Sequence, residues 1–254
     1  IKVIATSPRP YLRWVFIKVL TSEDGLYGLG SANCAFLSWA VKAALEKHMV
    51  PSWIGQEVDR IEDFWQWNHV RSYWRNGPVT NVIQTALDSA LWDIKGKRAG
   101  LPVYQLLGGK VRDAIPLYAH GGGSSVQACV ESIQKFIAQG YRHVRVQMGG
   151  YGGGGFIAPG QGSRPESGFK GQAFDEDLYV NTISKLFLEL REKLGPEPKL
   201  LHDVHEHLSP SAALNLAKRL EPARMFFVED ILAPEQIDYF KQIRALTSTP
   251  MAMG

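Results

Sequence analysis

Three histidines and two acids stand together in the segment His202-Asp203-Val204-His205-Glu206-His207, directly after the apolar pair Leu200-Leu201. A second acid pair, Glu229-Asp230, follows the apolar run from Met225 to Val228. Carboxylate and imidazole side chains bind divalent cations and exchange protons near neutral pH. Each segment therefore predicts a buried strand whose carboxyl end carries metal-binding and proton-transfer groups.

The first segment is open to two kinds of metal chemistry. Side chains alternate along a strand, so Asp203, His205 and His207 are expected on one face. Mg²⁺ prefers carboxylate oxygens and keeps bound water, whereas zinc accepts imidazole nitrogens, so zinc held by these three residues is the alternative to Mg²⁺. For His202 and His207, a packing or orienting role is favoured over metal binding.

The second half of the chain alternates predicted strands with predicted helices. The strands are expected over 115–119, 143–148, 200–204, 225–228 and 250–253, and the helices over 126–138, 178–194, 209–220 and 235–246. This alternation is typical of a parallel sheet. A TIM-type (β/α) barrel is favoured over a doubly wound sheet, because polar residues end successive strands and no Gly-x-Gly-x-x-Gly turn follows the first one. A complete barrel has eight strands, so the barrel is expected to be truncated after about the fifth.

The first half predicts a smaller α+β domain over residues 1–112, with the barrel domain over 113–254. Strands are expected over 14–20 and 26–30, joined by a hairpin turn at 22–25. A helical region follows over 38–107. Its main helix has an apolar face from Val82 to Ile94, with Thr80 or Asn81 expected to cap its start and Gly100 to end it.

Composition excludes some functions and partners. The chain has 254 residues, a net charge of +3 and no dense Lys/Arg stripe, so no nucleic-acid partner is expected. No apolar run has the length of a membrane span, and no signal-peptide pattern opens the chain. Cys34 and Cys129 form no spaced metal or redox motif, which favours a reducing, cytoplasmic location.

Several motifs together resemble one family. They are Ile61-Glu62-Asp63, Tyr73 to Pro78, Ala86 to Lys97, Pro102 to Gly109, Arg145, Asp203-Val204-His205 and Val228-Glu229-Asp230. The chain resembles the enolase superfamily, and most closely its mannonate dehydratase subgroup. This resemblance implies an α+β capping domain and a modified TIM barrel in which three acids hold Mg²⁺. By position Asp203 is the first ligand and Glu229 the second, and the third is expected just beyond Gly254.

The resemblance also implies catalytic and substrate-binding roles. Arg145 is expected to work with a tyrosine to remove a proton beside the substrate carboxylate, and Tyr151 is the nearest candidate. His205 is expected to help the leaving hydroxyl depart as water. His120 and Asn33 are expected, with His205, to contact the substrate. The residues agree in part, since Arg145 and Gln147 put a guanidinium and an amide on the same face of an apolar strand.

Tyr151 lies in a glycine-rich stretch that runs from Met148 to about Asp175. The stretch is too long to be only a connection, and it is interpreted as a flexible loop that could order over a substrate. A phosphate cradle is less well supported, because no Lys-Ser/Thr pair follows the glycines.

The expected function is Mg²⁺-dependent dehydration of D-mannonate or a related hexonate to a 2-keto-3-deoxy sugar acid, by a hydro-lyase that forms a homo-oligomer. One alternative is a weakly active or noncatalytic relative that binds a sugar acid for regulation. Another is a racemase or epimerase, which Arg145 disfavours, because other subgroups of the superfamily carry a lysine pair in this region.

Overall fold

Two units of different architecture make up the chain, Ile1–Ala114 and Ile115–Gly254, whereas the sequence predicted a boundary after residue 112. The structure is a computed structural model that describes residues 1–9, 12–34, 37–161 and 170–253. No helix in these ranges is long and apolar enough to cross a membrane.

The first unit opens with an antiparallel sheet of three strands in the order β1 (Lys2–Arg9), β2 (Leu12–Leu20) and β3 (Tyr27–Ser31). The predicted hairpin between β2 and β3 is confirmed, with Leu20 paired to Tyr27. Alternate residues of β2 are buried, as expected for a sheet that packs against helices on one face only.

The described residues of the first unit also form five α-helices. They are α1 (Ser38–Ala44), which continues through a π-helical turn (Leu45–Met49) into α2 (Val50–Trp53), then α3 (Ile61–Arg71), α4 (Pro78–Ala99) and α5 (Val103–Leu106). The apolar face of α4 lies so close to β3 that a Cβ atom on Gly30 would stand 1.8 Å from the Ala86 carbonyl oxygen. Glycine is therefore required at this contact.

The sequence predicted the C-terminal end of α4 correctly and its N-terminal cap wrongly. The helix ends at Gly100, whose φ of 67° lies in the left-handed region that favours glycine, as predicted. The cap predicted at Thr80 or Asn81 is wrong, since the helix begins earlier, at Pro78 after Gly77. Proline at the first helical position has no N–H group that needs a partner.

Within the residues that the structure describes, the second unit is built on a sheet of five parallel strands. They are β4 (Tyr118–Gly123), β5 (His143–Met148), β8 (Lys199–Asp203), β9 (Phe227–Glu229) and β10 (Met251–Ala252). Their order in the sheet follows their order in the chain. Between β5 and β8 along the chain, β6 (Phe156–Ile157) and β7 (Ala173–Phe174) form a separate antiparallel pair. The predicted succession of parallel strands is confirmed. The first strand, however, begins at Tyr118 rather than at residue 115.

The helices of this unit are α6 (Val126–Ala138), α7 (Glu176–Leu194), α8 (Pro210–Arg219) and α9 (Ile237–Leu246), with short 3₁₀ turns at Glu221–Ala223 and Pro234–Gln236. Their apolar faces share one core with the strands, in which Phe187, Leu190 and Leu200 are fully buried. Each such side chain contributes about 1.5–3 kcal/mol by leaving water. This packing fixes the strands, so the residues at their carboxyl ends are held on a rigid base.

Candidate active site

The two acids predicted to bind metal lie opposite each other. Asp203 on β8 and Glu229 on β9 are paired in the strand register, and Asp203 is only 3% exposed. Glu229 Oε2 is buried and accepts no hydrogen bond from any described residue. Burial, followed by the negative charge of Asp203, raises the pKa of Glu229. Two facing carboxylates, one of them with an unsatisfied oxygen, are suited to a hard divalent cation. The acid expected beyond Gly254 lies outside the described residues.

Arg145 on β5 connects this carboxylate pair to the rest of the site. Its Nη1 donates to Asp203 Oδ2 at 2.6 Å and lies 3.6 Å from Glu229 Oε2. Its Nη2 donates to the hydroxyl oxygen of Tyr151. Although burial alone opposes the charge, the contacts with Tyr151 and the two acids raise the pKa of Arg145. A buried guanidinium, here 6% exposed, is thus kept charged by its neighbours.

Tyr151 stands between Arg145 and His205. Its ring stacks on the His205 imidazole, with 4.1 Å between ring centroids and 27° between ring planes. The guanidinium carbon of Arg145 lies 5.2 Å from the centroid of the same ring. One phenol hydroxyl is therefore held next to a permanent positive charge, with an imidazole against its ring.

The glycines around Tyr151 form hydrogen-bonded turns. The Gly149 amide donates to the Gly123 carbonyl at 3.0 Å, and the Gly153 amide donates to the Gly150 carbonyl at 3.0 Å. Gly153 is buried, and a Cβ atom there would stand 2.0 Å from the Met148 carbonyl oxygen. This part of the stretch therefore packs closely against the end of β5. Residues 162–169 of the predicted flexible loop lie outside the described residues.

The prediction that Asp203, His205 and His207 share one strand face is wrong. Strand β8 ends at Asp203, and the next residues leave the extended conformation, with φ of 60° at His205 and 63° at Glu206. The turn is stabilised by Asp203 Oδ1, which accepts a hydrogen bond from the His205 amide at 2.9 Å. His205 still reaches the site, but through its stack on Tyr151 rather than through strand alternation.

His207 is directed elsewhere. Its Nδ1 lies 2.9 Å from the Val204 carbonyl oxygen, and its ring packs against Phe174, 4.9 Å away between centroids. Within the described ranges, no three His, Cys, Asp or Glu side chains converge closely enough to hold a metal ion. The zinc set of Asp203, His205 and His207 is therefore not assembled, and the packing interpretation of His207 fits its contacts.

His120 on β4 faces Arg145 from the other side. Its Nδ1 lies 3.3 Å from Arg145 Nη2, and because a guanidinium can only donate, Nδ1 must accept and the proton must lie on Nε2. Burial and the charge of Arg145 both lower the pKa of His120. The imidazole is thus neutral near pH 7 and keeps an Nε2–H group that can donate to a ligand oxygen.

Asn33 is not among the residues that meet in the second unit. It belongs to the first unit, is exposed, and its Oδ1 accepts a hydrogen bond from the Val15 amide at 2.7 Å. Its side-chain oxygen is therefore used as the acceptor for a backbone amide of β2.

His202 has the packing role that the sequence favoured, but its partner Tyr179 was not predicted. His202 is completely buried, with Nδ1 2.9 Å from the Val146 carbonyl oxygen and Nε2 2.8 Å from the Tyr179 hydroxyl. Because the carbonyl can only accept, Nδ1 carries the proton and Nε2 accepts from the tyrosine. Tyr179 has the signature of an ordinary apolar position on α7, and only the need of a buried histidine for a donor could have indicated it.

The sequence of the chain matches two known families and several curated proteins. Residues 2–108 match the family described as mandelate racemase / muconate lactonizing enzyme, N-terminal domain, and residues 128–254 match the family described as enolase C-terminal domain-like. A D-galactonate dehydratase family member of Paenibacillus sp. (strain JDR-2) is 47% identical over 242 residues, which cover 95% of this chain and 60% of the relative. One of Enterococcus gallinarum (strain EG2) is 45% identical over 254 residues, covering 100% of this chain and 62% of the relative.

Solved structures of related proteins are similar to this chain in both fold and sequence. A structure described as an enolase from Pantoea ananatis with bound D-gluconate and Mg has a TM-score of 0.91 and 44% identity, over 100% of this chain and 64% of that one. The 3,6-anhydro-D-galactonate cycloisomerase of Zobellia galactanivorans has a TM-score of 0.74 and 27% identity, over 99% of this chain and 63% of that one. The chain thus spans less than two thirds of the length of these relatives.

Proposed function

Because the chain belongs to the enolase superfamily, we propose that its protein is a Mg²⁺-dependent hydro-lyase that dehydrates a sugar acid. The curated relatives are named as D-galactonate dehydratase family members, and the Pantoea ananatis structure holds D-gluconate and Mg. These names support a sugar-acid dehydratase in general. The mannonate dehydratase subgroup, and D-mannonate as substrate, are the finer part of the proposal.

The observation that carries the proposal is the facing pair of Asp203 and Glu229, with one buried carboxylate oxygen that accepts no hydrogen bond within the described ranges. These two acids, with the acid expected beyond Gly254, would hold Mg²⁺. When bound, Mg²⁺ supplies a positive charge that stabilises the negative charge developed on a substrate carboxylate as the adjacent proton is removed.

Arg145 and Tyr151 are the proposed proton-removing pair. The guanidinium donates to the phenol oxygen, so the negative charge of a tyrosinate would form directly against a fixed positive charge. The Tyr151 residue is 45% exposed. The tyrosinate would take the proton from the carbon beside the substrate carboxylate, and Arg145 would keep the oxygen oriented.

His205 is the proposed general acid for the second half of the reaction. It lies against the ring of Tyr151, so it would act on an atom next to the carbon that loses its proton. Its proton would pass to the neighbouring hydroxyl, the C–O bond would break and water would leave. The resulting enol would become the 2-keto-3-deoxy acid.

His120 would donate its Nε2–H to a substrate oxygen, as its tautomer allows. Asn33 remains a proposed substrate contact, and a cytoplasmic homo-oligomer remains the proposed state of the protein. Which hexonate is used depends on the groups that distinguish its hydroxyl configurations, and D-mannonate, D-gluconate and D-galactonate are the first three to test.

The experiment is a screen of the full-length protein against a hexonate library with Mg²⁺, with detection of keto-acid product. Turnover of a hexonate supports the proposal. Binding without turnover would instead support the regulatory relative, and exchange of stereoisomers without loss of water would support a racemase. His205→Asn should abolish dehydration, and undiminished turnover in that variant would remove the role given to His205.

A further inference from the structure

Strands β5 and β8 stop pairing through their backbones before β8 reaches Asp203. Their last register pair is Arg145 with Leu201. The neighbouring pairs of strands continue further, β4 with β5 as far as Gly123 and Met148, and β8 with β9 as far as Asp203 and Glu229. Beyond the last pair, β5 and β8 therefore lack the ladder that fixes one strand relative to the next.

Two side chains cross this gap in place of backbone hydrogen bonds. On the core side, His202 Nδ1 donates to the Val146 carbonyl of β5 at 2.9 Å. On the other face of the sheet, Gln147 Nε2 donates to the Asp203 carbonyl of β8 at 2.6 Å. The donor of one hydrogen bond belongs to β8 and the donor of the other belongs to β5. The two hydrogen bonds lie on opposite faces of the sheet, next to the end of β8 at Asp203.

We propose that Gln147 is a positioning residue that sets the metal-binding carboxylate of Asp203, with His202 as its counterpart on the core side; this inference rests on the proposed function. Asp203 is held at three atoms. Its Oδ1 accepts from the His205 amide, its Oδ2 accepts from Arg145, and its backbone oxygen accepts from Gln147. The first two contacts orient the carboxylate. The third fixes the backbone of Asp203 to β5, on the side away from its register partner Glu229 on β9.

The position of that backbone matters because the residues after it are in the left-handed region. With φ of 60° at His205 and 63° at Glu206, the chain turns sharply at the end of β8. Such a conformation persists only where surrounding contacts enforce it. Without the Gln147 amide, the carbonyl of the buried Asp203 would lose its donor, and the backbone at the start of the turn would lose its hydrogen bond to β5.

The variant that tests this is Gln147→Met, which keeps the length of the side chain and removes its polar group. The matched control is Gln127→Met, since the Gln127 amide donates to exposed Glu131 on α6. Both are made in the full-length protein, and dissociation constants for Mg²⁺ and Mn²⁺ are measured by calorimetry. Partners that orient metal ligands are worth about 10–100-fold in metal affinity, so Gln147→Met should weaken cation binding by about 10-fold or more, with no change in the control.

A second measurement separates this inference from the proposed function. Hydrogen exchange of the segment from Val204 to Leu208 should be faster in Gln147→Met than in wild type, and unchanged in Gln127→Met. If wild type binds neither cation, the proposed function fails, and faster exchange still supports positioning. Unchanged exchange together with unchanged cation affinity would overturn it. Should Gln147→Met not fold, Gln147→Asn keeps an amide that is one methylene too short and is judged by the same two outcomes.

Discussion

The buried His202 should make the stability of the protein depend on pH in a defined window. Burial lowers the pKa of this imidazole from 6.5 to about 4, whereas in the unfolded chain it is free to protonate. The unfolded state therefore binds the proton first as the pH falls. The stability that neutral His202 contributes is complete above about pH 6.5 and is lost as the pH falls towards 4.

The size of the effect follows from the two pKa values. Each pH unit between them corresponds to about 1.4 kcal/mol, so the full loss is about 3 kcal/mol. At pH 5 the unfolded imidazole would be almost fully protonated and the buried one about one-tenth protonated, which gives about 2 kcal/mol. That is a large part of the stability of a typical domain.

The assay is urea unfolding at pH 7.5 and pH 5 in the presence of EDTA, compared between wild type and His202→Gln. The glutamine can still hydrogen bond but cannot titrate, so the wild type should lose about 2 kcal/mol more than the variant between the two pH values. His48→Gln, which replaces an exposed histidine, is the control and should follow wild type. Equal pH dependence in wild type and His202→Gln would refute the reasoning.

Three further outcomes follow from the packing and the charges. Gly30→Ala should destabilise the first unit by about 1–3 kcal/mol in thermal unfolding, because its Cβ would meet the Ala86 carbonyl at 1.8 Å; an unchanged melting temperature would contradict this close approach. Gly153→Ala should lower turnover about 100-fold, since a Cβ 2.0 Å from the Met148 carbonyl must displace Tyr151, and wild-type turnover would show that the turn does not position it. Glu229→Gln should melt no lower than wild type in EDTA, because burial raises the pKa of this acid and so opposes its charged form. When Mg²⁺ is added, wild type should gain thermal stability and the variant should not. An equal gain in both proteins would contradict the metal-binding role of Glu229.

Local patterns were sufficient to predict most elements of the second unit. Helix α6 begins at Val126 as predicted, where Ser125 caps it by accepting from the Ala128 amide. The strand predicted over residues 143–148 likewise matches the bounds of β5, His143–Met148. In both cases the signal lies within the segment itself.

The site was predictable only in part, because its geometry depends on contacts between segments. The placement of acids at strand ends indicated that Asp203 and Glu229 would meet. The face of His205 could not be obtained from strand alternation, because β8 ends two residues earlier and the chain turns into the left-handed region. The Tyr179 hydroxyl that fixes His202 lies 23 residues away in sequence, and no local pattern marks it.

The most direct test of the central claim is the exchange with solvent deuterium of the proton beside the carboxylate of the hexonate that the full-length protein dehydrates, followed by NMR in D₂O with Mg²⁺. His205→Asn should not dehydrate the substrate but should still exchange this proton, because Arg145 and Tyr151 remain. Adding Tyr151→Phe to that variant should abolish the exchange. Exchange that persists in the double variant would show that Tyr151 does not remove the proton, and would contradict the assignment of this site.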